Sequence, residues 1–275
     1  MLGLALAGGC EAFRDPSGPT PLDTVVNYDA LGASDAIGYG ASDYCLPLIP
    51  CTTGNGYVQQ VTRRLQGDGK TVSLVNLGVP GAVLSPAVQS LGASVGLEIL
   101  RNVLNDEAPY VRRSATLVTV FIGANDANTV GRAIRNGHAG ADPTAFIQSH
   151  IQAFGRDMQT LVATVRGRAP EVRIVALNLP NMANTPYAAG LPIGEKRVLQ
   201  ALTVGFSAGI NTLALQGVVV VDLMCDANFY NPAIFSADGF HPNDAGYNYL
   251  TDVVYRAATT GAPAPSASCS FMSKF

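Results

Sequence analysis

The sequence has 275 residues, of which 48% are hydrophobic and 13% are charged. A chain of this kind can bury a large core, and its length suits one sizeable domain better than two small ones. The formal net charge of −3 does not favour binding to a phosphate backbone, so we expect no nucleic-acid partner. The longest apolar runs are less than half of the roughly 20 residues that cross a bilayer, and they predict buried strands.

The amino terminus, "MLGLALAGGC", is a short apolar stretch that ends at Cys10. It resembles the end of a bacterial lipoprotein signal peptide, in which cleavage leaves a cysteine that is lipid-modified, although Ala7 replaces the usual leucine and a basic segment is missing. We therefore expect residues 1–22 to be a signal-peptide remnant and linker, and residues 23–275 to form a single domain. The alternative is a sequence that starts late or has been trimmed. Both interpretations imply export, and a lipid on Cys10 is the only membrane attachment we expect.

The remaining four cysteines also favour an exported protein, because an even number suits two disulfides. Four cysteines allow three pairings. We favour Cys45 with Cys51, since the two prolines of "CLPLIPC" bend the chain back on itself, and hence Cys225 with Cys269. The alternative is four reduced thiols in a cytosolic protein. The combined prediction is a protein that is secreted or lipid-anchored at the bacterial cell surface or in the periplasm.

Strand-like and helix-like segments alternate along the chain, which predicts an α/β fold with a central parallel sheet covered by helices on both faces. Five β-branched runs are predicted strands: "TVVNYDA" from Thr24, "TVSLVNL" from Thr71, "ATLVTVFI" from Ala115, "VRIVALNL" from Val172 and "GVVVVDL" from Gly217. Helical periodicity predicts three long helices: Pro143 to about Arg168, about Gly194 to Leu215, and from near Pro242 to before Gly261. Loops that leave the carboxyl ends of such strands meet at one edge, where ligands bind.

The tetrapeptide LGAS occurs twice, so either Ser34 or Ser94 is a candidate nucleophile. Ser34 follows a predicted strand and opens onto a glycine-containing turn. Ser94 matches G-x-S-x-G, but no strand precedes it, and the segment "VGLEILRNVLND" after it predicts a helix that Ser94 would cap. We therefore expect Ser34 to be the nucleophile.

A serine hydroxyl needs a general base, and the chain has three histidines. We expect His138 to lie in a solvated loop and His150 to lie within a helix. His241 differs, because "DGFHPND" brings Asp238 within three residues of it in a glycine-containing turn. Taken alone, this segment is also compatible with an ordinary loop that caps a helix.

Taken in order, the segments "GAS", "NLGVPG", "GAND" and "DGFH" resemble the blocks that define SGNH hydrolases, also called GDSL esterases and lipases. The resemblance spans nearly the whole domain and implies a three-layer α/β/α sandwich, flavodoxin-like, that needs no metal or organic cofactor. It implies that Ser34 is the nucleophile and that His241 and Asp238 complete a catalytic triad. The oxyanion would be bound by the backbone N–H groups of Ser34 and Gly78 and by the side chain of Asn125.

One position departs from the pattern of this family, because Ala33 stands where the family has aspartate. That aspartate is not the acid of the triad, so its loss affects the stability of the loop more than the chemistry. We expect Asp35 to take over part of its hydrogen bonding.

These observations predict a serine esterase or lipase that hydrolyses carboxylic esters of small molecules or lipids through an acyl-enzyme intermediate. One alternative is a deacetylase that removes O-acetyl groups from a polysaccharide, although the absence of tryptophan leaves only tyrosines to stack on sugars. A second alternative is a surface lipoprotein of the same fold that binds a ligand without turnover.

Overall fold

The computed structural model describes residues 21–275. Cys10 and most of the expected signal-peptide remnant therefore lie outside the described residues. Five strands form the sheet: Val25–Gly32 (β1), Thr71–Asn76 (β2), Leu117–Phe121 (β3), Arg173–Leu177 (β4) and Val219–Val221 (β5). The helices are Ser34–Ile37 (α1), Tyr57–Gly67 (α2), Pro86–Ser94 (α3), Val103–Asp106 (α4), Ala124–Arg135 (α5), Pro143–Arg168 (α6), Ile193–Asn211 (α7) and Asp244–Thr259 (α8).

The sheet has the order β2-β1-β3-β4-β5, and every neighbouring pair is parallel. This is the flavodoxin-like order, in which the chain reverses direction across the sheet between β2 and β3. β3 lies at the centre and is buried at all five positions, because helices cover both faces. The predicted fold class is confirmed.

The helices that follow the strands form the two outer layers of the sandwich. α2 and α8 pack against each other and contact β2, β4 and β5, whereas α6 packs against α7, and α5 lies against α3 and α7. Asp142 begins α6, since its side chain accepts a hydrogen bond from the Ala145 N–H, and Pro143 occupies the first helical position. The three long helices predicted from periodicity are present. Their bounds agree with the expected ones within about two residues, except that α7 ends at Asn211 and a 3-10 helix covers the remaining residues to Gln216.

One segment of the described residues, Ile193–Gln216, is long and apolar enough to cross a membrane by length and composition. It consists of α7 and the 3-10 helix that follows it to Gln216, and unlike the uninterrupted apolar runs considered above it includes charged residues near its start. Leu202, Phe206 and Ile210 are fully buried against the rest of the protein. We therefore interpret the segment as a core helix of the sandwich.

The prediction that Ser94 begins a helix is wrong. Ser94 is the last residue of α3, and most of the segment predicted as helical after it is irregular until the short α4. α3 begins earlier because Pro86 occupies a first helical position, which its fixed φ favours. Gly96 then turns the chain with a φ of +73°, which ends the helical path.

Two disulfides join Cys45 to Cys51 and Cys225 to Cys269, the pairing favoured by the sequence. The first closes a loop of seven residues between α1 and α2. The second fastens the carboxyl-terminal tail to the segment that follows β5.

Candidate active site

Ser34 lies two residues beyond the end of β1, at the first position of α1, and is 5% exposed. Gly32 makes the sharp turn before it, with a φ of +145°, and a Cβ at this position would approach the Phe121 carbonyl oxygen to 2.3 Å. Only glycine fits a backbone that has this φ and this close a neighbour. The turn places Ser34 at the carboxyl edge of the sheet, where loops from several strands meet.

The structure brings Ser34, His241 and Asp238 together from opposite ends of the chain. Ser34 Oγ lies 2.8 Å from His241 Nε2, and His241 Nδ1 lies 2.6 Å from Asp238 Oδ2. With its proton on Nδ1, the imidazole donates a hydrogen bond to Asp238 and accepts one from the Ser34 hydroxyl through Nε2. This arrangement can transfer the serine proton to the imidazole during nucleophilic attack.

The second carboxylate oxygen of Asp238 is held by its own turn. Its Oδ1 accepts hydrogen bonds from the Ser236 hydroxyl at 2.7 Å, from the Phe240 N–H at 2.8 Å and from the His241 N–H at 3.0 Å. Partial burial raises the pKa of Asp238, but the hydrogen bonds from His241, Ser236 and Phe240 outweigh this effect and hold it well below its usual range. Asp238 is therefore ionised at neutral pH and stabilises a positive charge on the imidazole.

Two aromatic rings pack against the imidazole. The ring centroid of His241 lies 4.8 Å from that of Tyr39 and 4.7 Å from that of Phe240, both in edge-on contact. Tyr187 in turn packs edge-on against Phe240 at 5.0 Å. These contacts restrict rotation of the imidazole and keep Nε2 directed at Ser34.

Three groups were predicted to bind an oxyanion, and they occupy different environments. Within residues 21–275, the Ser34 N–H has no hydrogen-bond acceptor. The Asn125 Nδ2 donates to the Ala82 carbonyl at 3.0 Å, which leaves its second proton free, and Asn125 lines a small cavity with Ala33. The Gly78 N–H already donates to Asn76 Oδ1 at 3.1 Å.

Gly78 approaches the nucleophile turn closely. A Cβ at this position would lie 2.5 Å from the Ala36 Cβ and 3.1 Å from the Ala33 carbonyl oxygen. Asn76 connects the two loops further, because its Nδ2 donates to the Ala36 carbonyl at 2.6 Å. The glycine is therefore required for the loop after β2 to contact the turn that carries Ser34.

Residues 30–249 match the GDSL-like lipase/acylhydrolase family. The chain belongs to this family. Comparison with curated proteins gave no match.

Solved structures of lipases and of an esterase share the fold of this family member at low identity. They include a lipase from a goat rumen metagenome, with a TM-score of 0.58 and 19% identity over 86% of this chain and 98% of that one. An extracellular lipase from Streptomyces rimosus has a TM-score of 0.57 and 18% identity over 85% of this chain and 100% of that one. An acetyl xylan esterase from Geobacillus stearothermophilus has a TM-score of 0.54 and 16% identity over 88% of this chain and 99% of that one.

In this GDSL-family chain, Asp35 does not take over the hydrogen bonding of the missing aspartate, contrary to expectation. Its carboxyl makes no hydrogen bond to another residue in the described part of the chain; it lines an apolar cavity of about 30 Å³ with Phe121 and Phe240, and burial raises its pKa. A different carboxyl reaches this turn from a distant segment: the buried Glu107 accepts the Gly32 N–H through Oε2 at 2.8 Å. No local motif marks Glu107, because it lies 75 residues from Gly32.

The remaining candidates lie outside this arrangement. His138 is exposed in a turn after α5, and His150 lies in α6 with its ring against Phe146 at 4.5 Å. Ser94 is exposed, and its hydroxyl donates to the Leu91 carbonyl at 2.7 Å. In residues 21–275, no group of three or more His, Cys, Asp or Glu side chains could hold a metal ion.

Proposed function

We propose that this GDSL-family protein is a serine ester hydrolase in which Ser34 is acylated. The observation that carries the proposal is the continuous hydrogen-bonded path from Ser34 Oγ through His241 to Asp238, with separations of 2.8 and 2.6 Å. Nucleophile, base and orienting carboxylate are thus within hydrogen-bond reach of one another, as nucleophilic catalysis requires.

In the proposed mechanism, Ser34 Oγ attacks the acyl carbon while its proton moves to His241 Nε2. The imidazolium then gives this proton to the departing alcohol oxygen as the ester C–O bond breaks, which leaves an acyl group on Ser34. Water attacks the acyl-enzyme, with His241 again accepting a proton and returning it to Ser34. Asp238 stays ionised and stabilises the imidazolium in both steps.

The negative charge on the carbonyl oxygen would be stabilised by the free Ser34 N–H and by the second Nδ2 proton of Asn125. The Gly78 N–H would contribute by sharing its proton between Asn76 Oδ1 and the oxyanion, since its present acceptor lies 3.1 Å away. We rank Gly78 as the weakest of the three donors for this reason.

Carboxylic esters of lipids or small molecules are the proposed substrates, and O-acetyl groups of a polysaccharide are the alternative. The alternative is supported by the similarity in fold to an acetyl xylan esterase and by the exposed tyrosines Tyr39 and Tyr44 near the site. The fold of an extracellular lipase and the two disulfides support export of this chain. A lipid on Cys10 is part of the same proposal and is tested by mass spectrometry of the mature amino terminus.

The decisive experiment is covalent labelling with a fluorophosphonate, compared between the parent protein and Ser34→Ala. We expect a single label on the Ser34 peptide, no label on the variant, and hydrolysis of p-nitrophenyl acetate that disappears with the label. A folded parent protein that is neither labelled nor active would instead support ligand binding without turnover. A panel of p-nitrophenyl esters from acetate to palmitate, together with acetylated xylan, then separates the two substrate classes.

A further inference from the structure

A patch of large apolar side chains is exposed beside the candidate site. It consists of Tyr39, Tyr44, Leu46, Leu48 and Ile49, which we call the apolar rim. Its three aliphatic members are 59%, 53% and 56% exposed and lie within the seven-residue loop that the Cys45–Cys51 disulfide closes. Large side chains exposed in such close succession are typical of surfaces that bind a partner.

Exposed large hydrophobic side chains are more frequent in the apolar rim than on the rest of the described surface. Twelve large hydrophobic side chains are exposed among residues 21–275, and five of them fall in the stretch from Tyr39 to Ile49. The other seven are spread from Val25 to Phe275, with no three of them within eleven residues, and exposed single residues of this kind are normal.

The apolar rim is fixed to the elements that carry the candidate triad. The ring of Tyr39 contacts His241 at 4.8 Å, and its carbonyl accepts a hydrogen bond from the buried Tyr247 hydroxyl of α8 at 2.7 Å. Ser42 donates to the Asp244 carboxylate through its N–H at 2.8 Å and its hydroxyl at 2.6 Å. A surface that attaches to the rim would therefore be held next to Ser34.

The chemistry of the rim favours an uncharged apolar surface. The stretch from Tyr39 to Thr53 contains one charged residue, Asp43, and no lysine or arginine, and the whole chain carries a net charge of −3. Attraction to anionic lipid requires clustered basic side chains, so a strongly anionic membrane does not fit. Branched aliphatic side chains also do not stack on sugar rings, which disfavours a polysaccharide as the occupant of the loop.

We propose that the apolar rim is a docking surface for an uncharged or zwitterionic lipid–water interface, from which the site draws acyl-lipid esters. This inference rests on the proposed function and deepens it by naming the physical state of the substrate. The rim inserts aliphatic side chains among acyl chains, as interfacial proteins do, and holds the Ser34 site at the level of the ester groups.

The test compares the parent protein with the triple variant Leu46→Ser/Leu48→Ser/Ile49→Ser. The matched control is Leu100→Ser/Leu215→Ser, which removes exposed leucines (68% and 91% exposed) from elsewhere on the surface. Two substrates are used: p-nitrophenyl palmitate dispersed in phosphatidylcholine vesicles, and p-nitrophenyl acetate free in solution. Vesicle binding is measured separately by sedimentation with each set of substitutions in the Ser34→Ala background.

We expect the ratio of the vesicle rate to the acetate rate to fall about tenfold in the rim variant, together with vesicle binding, and to stay at the parental value in the control. If the triple variant does not fold, as judged by circular dichroism, Leu46→Ser alone is expected to lower the same ratio by about threefold.

An unchanged ratio and unchanged vesicle binding in a folded rim variant would overturn the proposal. A parent protein that is dimeric in light scattering and a rim variant that is monomeric would also overturn it, because the rim would then join two copies. A selective loss of acetylated-xylan turnover in the rim variant would overturn it as well. Failure of the proposed function is distinct: the parent would then be inactive on soluble acetate, while sedimentation of the Ser34→Ala protein would still report on docking.

Discussion

Glu107 and Gly32 are joined by a buried hydrogen bond, in which Glu107 Oε2 accepts the Gly32 N–H at 2.8 Å. Glu107 is fully buried, burial raises its pKa well above the ordinary carboxyl value, and its Oε1 has no partner in the described residues. The one hydrogen bond of its side chain in the described residues therefore holds the backbone at Gly32, two residues before Ser34. Glu107 thus connects a distant segment to the turn that carries Ser34.

We expect Glu107→Ala to leave the Gly32 N–H without its acceptor and to lower the free energy of unfolding by about 1–3 kcal/mol. Because the same turn positions Ser34, kcat should fall while KM changes little. Glu107→Gln keeps a carbonyl oxygen for Gly32 and should recover most of kcat. Denaturant unfolding and esterase kinetics on the same preparations check this, and equal kcat in the alanine variant and the parent would contradict it.

Ser34→Ala should abolish turnover, whereas Ser94→Ala should leave it unchanged. Ser94 lies exposed at the end of α3 and its hydroxyl bonds only to Leu91, so its removal should change the free energy of unfolding by no more than about 0.5 kcal/mol. Rates of p-nitrophenyl acetate hydrolysis and melting temperatures of both variants decide the matter. A comparable loss of rate in both folded variants would mean that the wrong serine was chosen.

Asn125→Ala separates a role in oxyanion binding from a role in bracing the loop through Ala82. If the second Nδ2 proton binds the oxyanion, kcat should fall by about 10² to 10³ with little change in KM, and labelling of Ser34 by a fluorophosphonate should persist. If Asn125 only braces the Ala82 carbonyl, the melting temperature falls and kcat of the folded fraction stays near the parental value. Kinetics and thermal unfolding measured together distinguish these outcomes.

Asp126 makes stability depend on pH. It is fully buried and accepts the Leu84 N–H at 2.9 Å, and burial raises its pKa from 3.8 to about 7. Between about pH 4 and 7 the folded protein therefore keeps a proton that the unfolded chain has lost, so the free energy of unfolding falls as pH rises through this window. A difference of about three pKa units corresponds to about 4 kcal/mol.

The side chain of the Asp126→Asn variant cannot ionise but retains an acceptor for the Leu84 N–H. The free energy of unfolding should therefore fall less with rising pH in the variant than in the parent. Urea unfolding of parent and variant from pH 4 to 8 gives the comparison, with Asp23→Asn at an exposed position as the control. Parallel pH profiles for the parent and Asp126→Asn would contradict the prediction.

The Cys225–Cys269 disulfide should contribute to stability, since it closes a loop with a sequence separation of 44 residues. Replacing both cysteines by serine should lower the free energy of unfolding by about 2–5 kcal/mol. Peptide mapping without reduction, on protein made in an oxidising compartment, should recover this pair and Cys45–Cys51. Crossed pairs would refute the connectivity, and four free thiols would remove a main support for export.

The residue patterns by themselves determined the layered fold and the types of residue at the site. The β-branched runs predicted all five strands, because strands covered on both faces must be apolar almost throughout. α6 was predicted from Pro143 to Arg168 because apolar residues recur on one face and a proline stands at its start. Ser34 was identified from the strand end before it. Asp238 and His241 were identified through the resemblance of "DGFH" to a family block, because their turn alone is compatible with an ordinary loop.

Only the tertiary structure decided which groups meet. Ser34 and His241 are 207 residues apart, and Glu107 is 75 residues from Gly32, so their contacts depend on which loops converge at the sheet edge rather than on local propensity. The helix expected after Ser94 is absent because α3 begins earlier, at Pro86, and Gly96 turns the chain with a φ of +73°. Periodic burial can be deduced from sequence, whereas long-range pairing is selected by packing of the whole chain.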